Sequence, residues 1–201
     1  MKTKISRTLL CLSVLAAFIL LPAFSQNPAA PENGPEFTSD GQLKFPEHYR
    51  EWIYLTSGFD MSYNPAMKMG HHMFDNVFVN PAAYKAFVET GTWPDKTVLF
   101  LEVRGAKDKG SINQVGNYQS TETMGFEAHV KDSRLQGQWG FFGFDDGKTA
   151  KMIPRSADCY SCHSEHGAVD TTFVQFYPTL LPIAKSKGTL SGSYVKETAG
   201  Q

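Results

Sequence analysis

The stretch Thr97-Val98-Leu99-Phe100-Leu101-Glu102-Val103 decides the class of fold. Five of its seven residues are apolar, and turn residues bound it, Pro94-Asp95 before and Gly105 after. Branched and aromatic side chains suit a pleated, packed surface, so a strand is predicted here. The same composition returns in Arg50-Glu51-Trp52-Ile53-Tyr54-Leu55, Asp75-Asn76-Val77-Phe78-Val79, Met124-Gly125-Phe126-Glu127-Ala128-His129-Val130 and Trp139-Gly140-Phe141-Phe142-Gly143-Phe144. Gly110, Asp132-Ser133 and Asp145-Asp146-Gly147 supply further turn signals between them, which together predict an antiparallel meander.

Helices are fewer and are marked by their ends. Asn80 as a cap, Pro81 at the first position, an apolar face of Tyr84, Phe87 and Val88, and Gly91 as a stop predict a helix over 81–90. A second is expected from about Ser156 through Cys159 to His163. A third should run from Pro178 to Lys187, with Leu180, Leu181 and Ala184 inward and Gly188 ending it. The class is therefore α+β, an antiparallel sheet with a few helices, and no internal repeat is present.

The N-terminus reads as an export signal. Lys2, Lys4 and Arg7 precede an apolar run from Leu9 to Leu21, and Pro22-Ala23-Phe24-Ser25 offers small residues for cleavage before Gln26. The run is shorter than the ~20 apolar residues of a spanning helix. Residues 1–25 are thus expected to be a signal peptide, and the protein periplasmic. Removing Lys2, Lys4 and Arg7 from 19 basic and 20 acidic residues leaves 16 against 20, a formal charge of −4, and no basic patch suggests nucleic acid. Residues 26–40, rich in Pro, Asn, Gly and Glu, are expected to be a disordered leader, 41–190 a single domain, and 191–201 a flexible tail.

Cys11 leaves with the signal peptide, so the mature cysteines are Cys159 and Cys162, in Cys159-Tyr160-Ser161-Cys162-His163. A redox dithiol would need a thioredoxin-like βαβ context, and zinc two more strong ligands nearby; neither is evident. Two thiols spaced for two vinyl groups, followed at once by an imidazole, form a c-type haem attachment motif. Cys159 and Cys162 are the expected thioether links to one haem c, and His163 the expected proximal ligand of its iron. No methionine follows His163, and only 38 residues do. The layout of a small electron-transfer cytochrome is absent, so an open or apolar-capped distal face is expected, with ligand binding or chemistry at the iron.

Taken together, Phe45-Pro46-Glu47-His48-Tyr49-Arg50-Glu51-Trp52, Asn76-Val77-Phe78-Val79-Asn80-Pro81-Ala82-Ala83-Tyr84, Gly91-Thr92-Trp93-Pro94-Asp95, the CxxCH motif and Phe173-Val174-Gln175-Phe176-Tyr177-Pro178 resemble the cytochrome P-460 family, in order and across residues 41–188. The resemblance implies an exported mono-haem β-sheet protein, commonly a homodimer. It also implies one of two activities: hydroxylamine oxidation, in members with a lysine bonded to the haem, or binding of nitric oxide and carbon monoxide, in the similar cytochromes c′-beta that lack the bond. Where cross-linked members place that lysine this chain has Leu101, so the resemblance implies the gas-binding kind. Lys96 lies five residues earlier, on the opposite face of the strand and ~16 Å away.

The resemblance extends to the pocket. Asp75 stands where cross-linked members carry a polar distal residue, often arginine, and Phe74 or Phe78 is the candidate aromatic cap over the iron; core packing is the alternative for each ring, as it is for Leu101. Arg155 either pairs a haem propionate or faces solvent. The stretch from Met61 to Met73, with four methionines plus His71 and His72, suits a soft metal such as copper, a loop filling irregular space beside the haem, or a source of a sixth iron ligand. His166 is expected at the surface, and His48 and His129 are unremarkable by spacing. The expected function is a periplasmic haem c protein binding small gases in nitrogen-oxide handling. An oxidoreductase acting on hydroxylamine or nitric oxide, or an electron carrier with a redox partner protein, are the alternatives.

Overall fold

Residues 97–100 are buried on both faces because they lie in the middle of a sheet with a core on each side. The computed structural model describes residues 34–63, 66, 68, 70–145 and 147–200; the expected signal peptide and residues 26–33 of the leader lie outside them. The strands are β1 (Leu43–Lys44), β2 (Ile53–Phe59), β3 (Met73–Val79), β4 (Thr97–Lys107), β5 (Tyr118–Lys131), β6 (Trp139–Gly143) and β7 (Thr149–Ala150). Strands β2 to β6 form a five-stranded antiparallel sheet in sequence order, the predicted meander, and β1 pairs with β7. The α+β class is as expected.

Alternation along β4 divides the two cores. Leu99 packs with Val79, Phe87, Trp93, Trp139, Tyr177 and Leu180 beneath the helices. Val98 and Phe100 pack with Leu43, Tyr49, Trp52, Val130 and Phe142 beneath the N-terminal arm. Register aligns the helix-side face: Leu101 lies between Val77 and Glu127, and Leu99 opposite His129, which pairs with Phe141.

The helices are α1 (Pro81–Thr90), α2 (Asp158–His166), α3 (Leu181–Lys187) and α4 (Gly192–Thr198). Gly91 ends α1 at φ 77°, the left-handed conformation for which glycine is suited. Asn80 does not cap it by side chain as expected. Its Oδ1 accepts from the Val98 amide at 2.8 Å and its Nδ2 donates to the Lys96 carbonyl at 3.2 Å, tying the helix start to β4 instead.

Both ends of the domain carry more order than composition suggested. Residues 34–40, assigned to a disordered leader, lie against the sheet because Phe37 packs edge-on to Phe142 at 6.0 Å and bridges Leu43. The expected flexible tail contains α4, capped by Ser191, whose Oγ accepts from the Tyr194 amide at 3.2 Å, while Tyr194 packs onto the helix-side core. One half-buried aromatic ring in each segment contributes apolar burial toward the cost of ordering it.

Candidate functional site

Helix α2 presents Cys159, Cys162 and His163 at positions i, i+3 and i+4, which lie on one side of a helix. Both cysteines are free, and burial pushes both thiols up, so each is a protonated thiol at neutral pH. The His163 Nδ1–H donates to the Thr171 carbonyl at 2.8 Å. That bond assigns the proton to Nδ1 and leaves the lone pair on Nε2. Burial holds His163 below the usual histidine range against the opposing effect of the carbonyl, so the ring is neutral and ready to ligate. Phe173 and Phe141 clamp it, with ring centroids 4.1 and 4.6 Å away.

The loop that delivers the Thr171 carbonyl turns back immediately after α2. A Cβ on Gly167 would lie 2.6 Å from the His163 carbonyl oxygen and 2.9 Å from the Thr172 amide, so only glycine lets the chain pass this closely. Beyond it, Trp93 Nε1 donates to Thr172 Oγ1 at 2.8 Å, and Lys131 pairs with Asp170 at 3.0 Å. These contacts hold the loop to the sheet.

His163 and Cys159 form one wall of a cavity of about 260 Å3. The facing wall is the helix-side surface of the sheet, where Val77, Leu99 and Leu101 supply apolar contacts and Met61, Tyr63, Phe173 and Tyr177 complete the lining. Cys162 lies outside the lining but close enough to Tyr63 for their charges to interact.

The family model for cytochrome P460 matches residues 46–174, more than half of the chain. The chain belongs to the cytochrome P460 family. A search of curated proteins found no match. Membership implies a haem cofactor, and the residues present fit one: a mostly apolar cavity, a neutral histidine with Nε2 unprotonated, and a thiol beside it. His163 would hold the iron, and Cys159 and Cys162 lie on the same helix to hold the macrocycle.

The other sequence candidates in this cytochrome divide by strand alternation. Leu101 and Asp75 line the cavity. Phe74 and Phe78, the candidate caps, do not. They lie on the opposite face of β3, where Phe78 packs on Tyr49 at 5.5 Å and Phe74 on Phe59 at 5.0 Å, because residues one position from Asp75 and Val77 point the other way. Arg155 is exposed, donates to the backbone carbonyls of Trp139 at 3.0 Å and of Gln136, and lies over Tyr160, so it is absent from the lining. The Nζ of Lys96 pairs with Asp132 at 2.7 Å.

The Met61–Met73 stretch contributes Met61, whose Sδ packs against Gly58 in the cavity lining. Met67 and Met69 lie outside the described residues. His72 pairs with Asp60, and His166 is exposed with Nδ1 3.1 Å from Glu197. No group of three or more His, Cys, Asp or Glu arranged for a metal ion occurs among the described residues.

Two features depart from the expected apolar pocket. Asp75 and Glu127 both face the cavity from the sheet. Desolvation by the surrounding protein raises the carboxyl pKa of each, although Glu127 keeps exposed surface, and the Glu127 charge raises Asp75 further. His129 is the second: it is buried, stacked on Phe141 at 3.9 Å and edge-on to His163 at 5.0 Å. Alternation within Met124–Val130 would have placed Glu127 and His129 on one face; only the register with β4 identifies which face the cavity occupies.

Proposed function

We propose that this protein is an exported, periplasmic mono-haem c cytochrome of the P460 family that binds small nitrogenous ligands and gases such as nitric oxide and carbon monoxide, without a lysine–haem bond. The observation that carries the reading is His163: neutral, with Nδ1 committed to Thr171 and Nε2 unprotonated, in a cavity that it shares with Cys159. Haem bound there would supply a redox-active iron. The thiols of Cys159 and Cys162 would add to the two vinyl groups, and Leu101 occupies the wall where a linking lysine would otherwise stand. The lining includes no lysine among the described residues. A homodimer and a redox partner protein belong to the same proposal.

A second reading, oxidation of hydroxylamine or nitric oxide, is favoured by Asp75 and Glu127. Oxidising hydroxylamine releases protons with the electrons, and carboxylates with raised pKa take up protons nearer neutrality.

The test is the absorption spectrum of the reduced holoprotein, made in a host with c-type maturation, before and after carbon monoxide and nitric oxide. The expected result is an ordinary Soret band that shifts with each gas. A reduced protein that takes up neither refutes ligand binding, and a strongly red-shifted Soret band before any addition refutes the missing cross-link. Steady turnover of hydroxylamine with an artificial electron acceptor, lost in Glu127→Gln, would establish the second reading.

A further inference from the structure

Thr171 is held from two directions. Its carbonyl accepts the His163 Nδ1–H at 2.8 Å, while its Oγ1 lies 3.3 Å from His129 Nε2. His129 is itself immobilised, 7 % exposed, stacked on Phe141 at 3.9 Å and tilted against Trp139 at 4.4 Å. Phe141 also touches the His163 ring, at 4.6 Å. His129 therefore meets the expected iron ligand by three routes: a hydrogen bond through Thr171, a shared aromatic neighbour, and direct edge-on contact with ring centroids 5.0 Å apart.

A hydrogen bond accepted from Nδ1–H raises the basicity of the other ring nitrogen, strengthens its bond to a metal and favours the oxidised iron. The strength of that bond depends on where the accepting carbonyl is held. The flanking residues Asp170 and Thr172 are anchored to Lys131 and Trp93, but the side chain of Thr171 itself is anchored by His129. We infer that His129 is a positioning residue for the proximal ligand: by tethering Thr171 it fixes the hydrogen bond to His163 and so sets the iron–imidazole bond strength and the reduction potential. This rests on the reading of His163 as the ligand of a haem iron.

The test uses the mature holoprotein with His129→Phe, Thr171→Val, Thr171→Ser and the double variant His129→Phe/Thr171→Val. The readouts are the ferrous iron–imidazole stretching band in the resonance Raman spectrum and the midpoint potential. His129→Phe keeps an aromatic ring between Phe141 and Trp139 but loses the tether; Thr171→Val loses the hydroxyl and keeps the carbonyl. Both are expected to lower the stretching frequency and raise the potential. The double variant should shift no further than either single one, and Thr171→Ser should restore the wild-type values.

An unmoved band and potential, with only the thermal midpoint lowered, would make His129 an ordinary core residue and overturn the inference. Shifts that add in the double variant would overturn the route through Thr171. Should His129→Phe fail to fold, the Thr171 pair decides the matter alone. Wild-type protein without covalent haem, by the pyridine haemochrome assay, would instead remove the reading of the site on which the inference depends.

Discussion

Replacing Glu102 by alanine is expected to destabilise the fold strongly and leave the haem environment alone. The Glu102 side chain is 1 % exposed and accepts hydrogen bonds from Tyr49, Arg50 and Arg104, the last only 19 % exposed. Burial pushes its carboxyl up, but the bonds from Arg104 and Tyr49 and the nearby guanidinium charges outweigh this and hold it below its ordinary range. Arg50 is half-exposed and loses little when its partner goes. Arg104 and the Tyr49 hydroxyl, pushed up to about 12 in its environment, lose their charged partner in a largely desolvated setting, where Arg104 keeps only the Ser120 and Thr121 carbonyls, each at 3.4 Å. Removing one partner of a buried ion pair costs about 3–5 kcal/mol, and for a domain of this size each kcal/mol lowers Tm by roughly 2–4 °C. Glu102→Ala should therefore melt ~6–20 °C below wild type, measured by circular dichroism with urea titration as the check. Because Glu102 faces away from the cavity while Leu101 faces into it, the Soret band should not move. A loss below ~1 kcal/mol, within the range of an exposed pair, would refute the claim that this carboxylate is a buried, fully used partner. A spectral change would refute its placement behind the sheet.

Further outcomes follow from other parts of the molecule. Cys159→Ala and Cys162→Ala should each abolish double thioether attachment, read as a shifted pyridine haemochrome band, and His163→Ala should alter the iron's spin state. Met61→Leu should leave the spectrum unchanged; a low-spin to high-spin conversion would instead make Met61 a sixth ligand. Asp132 is fully buried, and hydrogen bonds from Arg134 and Lys96 hold its carboxyl well below its ordinary range. A depressed pKa contributes stability above the unfolded-state value of about 3.9 and loses it as pH falls. The stability gap between wild type and Asp132→Asn should therefore be flat from neutral pH down to about 5 and narrow below about 4. Phe87 is fully buried against Trp93, 4.2 Å between ring centroids, and Phe87→Ala should cost about 3–5 kcal/mol in urea denaturation.

The meander, helix α1 with its Gly91 stop and the helical segment carrying Cys159 to His163 were legible because each rests on local rules: alternation, caps and a five-residue motif. Phe74 and Phe78 were not, since a strand of mixed apolar residues does not say which parity faces a ligand, and both faces of this sheet are packed. Composition alone suggested disorder in residues 34–40 and in the tail, where Phe37 and Tyr194 find partners more than 20 residues away in sequence.

The sequence by itself determined the class of fold, the family and the residue types for the chemistry, because those follow from period, spacing and motif within short windows. Tertiary structure alone decided how that chemistry is framed. It brought the Thr171 carbonyl to His163, turned Asp75, Leu101 and Glu127 into one wall, and set His129 beside His163. Those relations depend on strand register and on the close turn at Gly167, where contact between residues distant in the chain, rather than their order, fixes which atoms meet.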